Sequence, residues 1–143
     1  MSAELVDSNV VVYAHDPTTP DKHRTARALI ERLWAERSGR LSVQVLQEFF
    51  WIATRKIPRP LTTKAALDIV RDLSAWPVFS PTAADVVAAG ELAGASRISF
   101  WDAMILQAAR RSGAQIVWSE DLNPGQVFDG VEVRNPFGAQ AAG

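Results

Sequence analysis

The stretch Leu5-Val6-Asp7-Ser8-Asn9-Val10-Val11-Val12-Tyr13-Ala14 constrains this chain more than any other: it is an apolar run rich in β-branched residues with an acid and an amide in its middle. Such a run reads as a buried strand at the centre of a sheet. A carboxylate buried in those surroundings is costly unless something pairs with it, and no Lys or Arg stands between Met1 and Ala14. Asp7 therefore needs a partner from outside the run, and a divalent metal ion is the partner expected. The competing reading makes Asp7 the cap of a helix that begins at Ser8 or Asn9, a position that Asp and Asn favour.

A chain of 143 residues is long enough to bury a full core without staples, so one compact domain is expected over 1–137, followed by a frayed Ala/Gly-rich tail over 138–143. The formal net charge of -1 rules out a blanket cationic binder, so any nucleic acid must be met by a local basic patch or by metal ions. The absence of cysteine excludes disulfides, zinc-thiolate sites and a thiol nucleophile. Glu4 and Asp7 stand where a signal peptide would carry basic residues, and no apolar stretch approaches the ~20 residues of a membrane span, so a cytoplasmic protein without membrane attachment is expected.

Past the first strand, His15 to Pro20 is a proline loop, with His15 and His23 beside it expected to face solvent. An amphipathic helix should start near Asp21, its apolar side formed by Ala26, Leu29, Ile30, Leu33 and Trp34, and end at Ser38-Gly39. Leu41-Ser42-Val43 is a short strand and Gln44 to Lys56 a helix that Pro58 and Pro60 keep from continuing. Thr62 or Thr63 caps the next helix, and Trp76 to Phe79 is a third strand. Thr82 to Asp85 has capping-box spacing, which accounts for Asp85 structurally; the helix it opens is expected to run to Leu92 or Ala93 and to be broken by Gly94. Ser99 starts a core helix that closes on Arg110, Arg111 and Gly113. Gln115 to Trp118 is a fourth strand, and Val131-Glu132-Val133 is expected at a sheet edge.

Two of these helices carry an acid without the usual reason for one. Glu48 has Gln44, Val45, Trp51 and Ile52 one turn away, and Asp102 has Ile98, Ile105 and Leu106, so neither has a cation three or four positions away to pair with. A solvated edge for Glu48 and a capping box with Ser99 for Asp102 are the plain structural readings. Strands alternating with helices, however, predict an α/β fold with a mostly parallel sheet whose helices begin at the carboxyl edge. Asp7 at the end of the first strand, Asp121 after the fourth, Glu48 in the first two turns of its helix and Asp102 in the first turn of another then reach one rim, where open α/β sheets place ligands. Carboxylates gathered there repel one another and raise one another's pKa unless positive charge is supplied. All-oxygen ligation without His or Cys suits Mg2+ or Mn2+, which can activate water and neutralise the charge that gathers on a phosphodiester.

With these residues assembled, the chain resembles the PIN-domain nucleases, and among them the VapC-type ribonuclease toxins of toxin-antitoxin pairs. The resemblance runs from Leu5-Val6-Asp7-Ser8-Asn9 through Gln47-Glu48-Phe49 and Ser99-Phe100-Trp101-Asp102-Ala103 to Ser119-Glu120-Asp121-Leu122, with Ser8 where the commonest form has Thr. It implies a PIN-like α/β/α sandwich with the first strand central, metal-dependent cleavage of RNA, and acidic ligands at Asp7, Glu48, Asp102 and Asp121. It also implies supporting roles for Asn9 and Ser119, with Glu120 an additional acid ranked behind Asp121. Arg55, Lys56 and Arg59, just past the Glu48 helix, are candidate phosphate contacts, although a solvated basic edge is the plainer account of them. A toxin of this kind would be held by an antitoxin covering the metal rim and would self-associate as a homodimer, with Trp34 or Trp51 as aromatics that either serve partners or belong to the core.

Two rivals remain at the level of sequence. Haloacid-dehalogenase-like phosphatases also place an Asp after the first strand, but need a second Asp two positions on, where this chain has Asn9. A receiver-like signalling module would want an acidic pair after the first strand and a Lys late in the sheet, whereas Lys occurs only at 22, 56 and 64.

Overall fold

The computed structural model describes residues 2–138, so the expected tail lies outside the described residues apart from Gly138. The elements are β1 (Ala3–Val6), α1 (Ser8–Ala14), α2 (Pro20–Glu36), β2 (Gly39–Ser42), α3 (Val43–Arg55), α4 (Thr63–Leu73), β3 (Val78–Phe79), α5 (Ala83–Ser96), α6 (Phe100–Arg111), β4 (Ala114–Trp118), β5 (Val127–Phe128) and β6 (Val131–Arg134). The six strands form one sheet in the order β3-β2-β1-β4-β6-β5, parallel throughout except for the β5/β6 pair. This is the mixed α/β architecture expected, with the first strand inside the sheet between β2 and β4. Among the described residues no helix is long and apolar enough to cross a membrane.

The opening run is not one strand. Ala3 to Val6 is extended and buried, and the chain then turns at Asp7, whose carboxylate accepts a 2.7 Å hydrogen bond from the Ser8 N–H and caps α1. Val10, Val11 and Val12, β-branched and expected to be extended, are helical and buried. Their preference for strands is weak beside a cap and the packing of α1 against α2 and α3, which puts all three valines into the core.

Three other expectations are corrected. Helix α5 passes through Gly90 and Gly94 and ends only where Arg97 adopts a left-handed φ of 55°. The cost of a helical glycine, about 1 kcal/mol, is outweighed by packing against α6, where Ala89 meets Ala103 and Met104 in a small second core. The Val131 segment is an interior strand, because β5 pairs with its outer side and takes the edge. A two-residue strand ahead of a Asp129-Gly130 turn offers too little alternation to be read from sequence. His15 and His23 are half-buried, each ring bonded through Nδ1 to a main-chain carbonyl, that of Val11 and of Tyr13 respectively, at 2.9 Å. Burial holds the His15 imidazole below its ordinary pKa.

The main core joins Leu5 and Val6 of β1, Leu33 of α2, Leu41 of β2, Phe49 of α3, Ile105 of α6 and Val117 of β4. At ~1.5–3 kcal/mol for each fully buried large side chain, this cluster is what fixes the helices on the sheet. Glu4 on β1 is a buried charge within the sheet: it accepts from the Arg32 guanidinium at 2.8 and 3.1 Å and from Trp118 Nε1 at 2.8 Å. Burial works against its ionised form, but these hydrogen bonds and the charges of Arg32 and Arg134 hold its pKa below the ordinary value.

Glycine is required at one strand position. A Cβ at Gly39 would meet the Trp76 ring at 2.5–2.7 Å, and Trp76 is buried, so the ring has little room to retreat. Gly39→Ala is expected to cost about 1–3 kcal/mol by overpacking. At Gly90 a Cβ meets nothing within 4 Å, and Gly90→Ala should instead stabilise α5 by about 0.5–1 kcal/mol. Thermal or urea unfolding of the two variants checks the opposite signs.

Candidate active site

Each of the four expected acids reaches the cleft because of where its element begins or ends. Asp7 is the turn between β1 and α1; Glu48 is in the second turn of α3, which starts directly after β2; Asp102 is in the first turn of α6; Asp121 follows β4 by three residues. β1, β2 and β4 are parallel neighbours, so their carboxyl ends lie along one rim. Asp7, Glu48, Asp102 and Asp121 all line a single cleft of about 450 Å³.

Asp7 is the most constrained. It is 5% exposed, and besides capping α1 it accepts from Ser119 Oγ at 2.8 Å and from Asn9 Nδ2 at 3.4 Å. The two readings of Asp7 are therefore compatible: one oxygen caps a helix while the residue as a whole borders the cleft. Burial is the main reason that its pKa is pushed up to about 6; the Ser119 and Ser8 hydrogen bonds oppose the rise, and the charges of Glu48 and Asp121 add to it. Both effects expected from sequence are present, and desolvation outweighs mutual repulsion.

The neighbours form a continuous hydrogen-bonded frame. Asn9 Nδ2 reaches Asp121 Oδ2 and Ser119 Oγ, both at 3.3 Å, while Asn9 Oδ1 accepts from the Glu120 N–H at 3.1 Å. Ser119 Oγ also accepts from the Asp121 N–H at 3.1 Å. On the other wall, Ser8 Oγ donates to Glu48 Oε1 at 3.0 Å and Gln44 Nε2 to Glu48 Oε2 at 3.3 Å. The Asp102 N–H donates to Ser99 Oγ at 3.0 Å, so Ser99 caps α6 and the Asp102 carboxylate remains at the cleft wall.

The remaining candidates divide. Asn9 and Ser119 stand between Asp7 and Asp121 as just described. The Glu120 side chain is not in the cleft: it pairs with Lys22 and accepts from the Tyr13 hydroxyl, tying the loop after β4 to α1 and α2, and only its main-chain N–H serves the frame. Arg55, Lys56 and Arg59 are exposed and none of them lines the cleft. Arg55 is linked to it only through Trp51, its guanidinium lying 4.0 Å from the centroid of that ring. Sequence reasoning missed Ser8 as the partner of Glu48, Gln44 as its second donor, and both tryptophans of the cleft, Trp51 and Trp101. The spacing of Gln44 and Glu48, one helical turn apart, was the available signal for Gln44.

Among the described residues no three acidic or imidazole groups stand close enough to form a ready-made cage for an ion. The donor chemistry nevertheless suits a hard cation, since the cleft carries carboxylate oxygens with no thiolate or imidazole and no Lys or Arg in its walls to neutralise them.

No curated protein sequence gives a significant match. Solved structures share the fold. VapC20 of Mycobacterium tuberculosis, described as a toxin that cleaves the sarcin-ricin loop, is 24% identical over 80% of this chain and 87% of its own, with a TM-score of 0.63. VapBC2 from Rickettsia felis, bound to a DNA fragment from its promoter, is 19% identical over 93% of this chain and 98% of its own, with a TM-score of 0.65. A toxin-antitoxin complex from Klebsiella pneumoniae is 15% identical over 94% and 98%, with a TM-score of 0.68. The PIN-domain family model matches residues 5–127, from Leu5 in β1 to the start of β5, taking in all four cleft acids. The chain belongs to the PIN-domain family.

Proposed function

We propose that this PIN domain is a divalent-metal-dependent endoribonuclease and the toxin half of a toxin-antitoxin pair, with Asp7, Glu48, Asp102 and Asp121 as its metal-holding and catalytic acids. The observation that carries the reading is the Asp7 carboxyl, buried and shifted up to about 6 in a cleft shared with three more carboxyls. A fold has little structural use for such an arrangement, and perturbed acids in a cleft are a mark of functional sites. Mg2+ or Mn2+, when bound, would supply positive charge opposite these carboxylates and would polarise water and phosphate oxygens.

The chain's own contribution is positional. Ser119, Asn9 and the Ser8 N–H hold the Asp7 carboxyl in place, and Ser8 and Gln44 hold that of Glu48, so neither must be reorganised when substrate arrives. The antitoxin partner is proposed on the strength of the structural neighbours, of which two are described as VapBC2 and as a toxin-antitoxin complex. Self-association as a homodimer belongs to the same reading. A phosphatase of the haloacid-dehalogenase type is disfavoured because Asn9 spends its amide bridging Asp7 and Asp121, and a receiver because Lys22 is engaged by Glu120.

The test is cleavage of RNA by the purified chain in Mg2+, in Mn2+ and in EDTA. Cutting should vanish in EDTA and return on adding excess Mg2+ or Mn2+. Undiminished cutting in EDTA overturns the proposal.

A further inference from the structure

Two indole rings stand exposed on the walls of the acidic cleft. Trp51 follows Glu48 by three residues on α3 and is 52% exposed; Trp101 immediately precedes Asp102 on α6 and is 62% exposed. Large aromatic rings usually repay burial, and neither of these belongs to either core cluster. They are nonetheless held in place. Trp101 packs edge-on against Phe100 with ring centroids 5.1 Å apart, and its carbonyl accepts from the same Gln44 Nε2 that bonds Glu48. Trp51 carries the Arg55 guanidinium over its ring.

The cleft between them is poorly suited to a polyanion by charge alone. Its walls bring four carboxylates and no basic side chain, and the whole chain has a net charge of -1. An RNA strand that reaches these acids must therefore gain affinity from something other than ion pairing with the walls. A metal ion held by the acids would attract the cleaved phosphate, and aromatic faces can hold the nucleotides beside it, because an unpaired base stacks on an indole whatever its identity. A base inside a duplex already has both faces covered by its neighbours and cannot do so.

We propose that Trp51 and Trp101 are stacking platforms for unpaired bases flanking the cleaved phosphate, with Arg55 contacting the adjoining backbone from its place on Trp51. This rests on the ribonuclease reading above and adds to it the residues of this chain that hold the strand beside the acids. A protein surface laid over the same rings is the rival use, and the Arg55 cation beside Trp51 favours the nucleic acid.

The experiment is steady-state cleavage, in Mg2+, of a fluorogenic single-stranded RNA and of the same sequence annealed to its complement. Wild type is compared with Trp51→Ala, Trp101→Ala and the corresponding Phe variants. The single strand should be cut in preference to the duplex, and each Ala change should raise KM by about 5- to 150-fold, the range expected for loss of one stacked base, with the change carried by KM and not by kcat. Phe should recover most of the loss. A strand with abasic nucleotides on both sides of the cleaved bond should show the same rise with wild type and no further rise with the Ala variants.

Metal-dependent cleavage with unchanged KM in both Ala variants, or with equal efficiency on the duplex, overturns this inference and leaves the ribonuclease standing. Weakened binding of a protein partner alongside an unchanged KM assigns the rings to that partner and likewise overturns it. Failure of wild type to cut any RNA removes the ribonuclease and this inference together.

Discussion

Asp7→Asn will cut RNA cleavage by about 10²–10⁴-fold, the range contributed by a positioned acid-base or charge-stabilising group, and will at the same time make the metal-free protein more stable at neutral pH. The second effect follows from the direction of the Asp7 shift. Its carboxyl is raised from 3.8 to about 6 in the folded state, so between those values the native chain binds more protons than the unfolded one. Stability conferred by the protonated form is present below about 4, is lost as pH climbs toward 6, and is absent above that. With each unit of pKa worth about 1.4 kcal/mol, the wild type carries a penalty of about 2–3 kcal/mol at pH 7.5 that Asn does not have. The change is nearly isosteric, and an Asn oxygen can still accept the Ser8 N–H, so the cap survives. Urea unfolding in EDTA at pH 7.5 and pH 4 should show the variant ahead at the first and level at the second. Added Mg2+ should raise the melting temperature of wild type more than that of the variant, since binding to the folded state alone stabilises it. Equal stability of the two proteins at pH 7.5 without metal would refute this account of Asp7.

Phe49→Ala is expected to have the largest effect on stability. Phe49 is the largest of the fully buried side chains, and it packs edge-on against His15 with ring centroids 5.5 Å apart. Truncating a phenylalanine in a close-packed core costs about 3–5 kcal/mol, a large part of the roughly 5–15 kcal/mol that keeps a domain folded. Because Glu48 is the preceding residue on α3, the activity of the molecules that remain folded should fall as well. Trp51→Ala, on the same helix and exposed, should alter stability by about 0.5 kcal/mol or less. Parallel denaturation curves of the two variants give the comparison, and a similar small loss in both would mean that Phe49 does not anchor α3.

Much of this molecule could be read from the order of its residues. The helix starts at Thr62, Thr82 and Ser99 carry their own cap chemistry, and amphipathic spacing identified α2 and α4, whereas Ser42, read as part of a strand, also caps α3. Alternation of strands and helices led to a mostly parallel sheet, acids without local cations led to Asp7, Glu48 and Asp102, and its place after the fourth strand led to Asp121; all four line one cleft. The misreadings share a cause. Val10 to Val12 prefer strands in isolation, Gly94 prefers to end a helix, and Val131 looked like an edge, but burial against α2 and α3, packing against α6 and pairing with β5 decided each case.

Residue type and local spacing by themselves determined where most helices begin, that the sheet is mostly parallel, and which acids lack a partner nearby in the chain. Only the tertiary structure decided which way each side chain points at the rim. It sent Glu120 to Lys22 and away from the cleft, put Ser8 on Glu48, and left Trp51 and Trp101 standing beside the acids. The reason is that a contact between residues 40 or 112 positions apart depends on how helices seat on the sheet, which no local preference encodes.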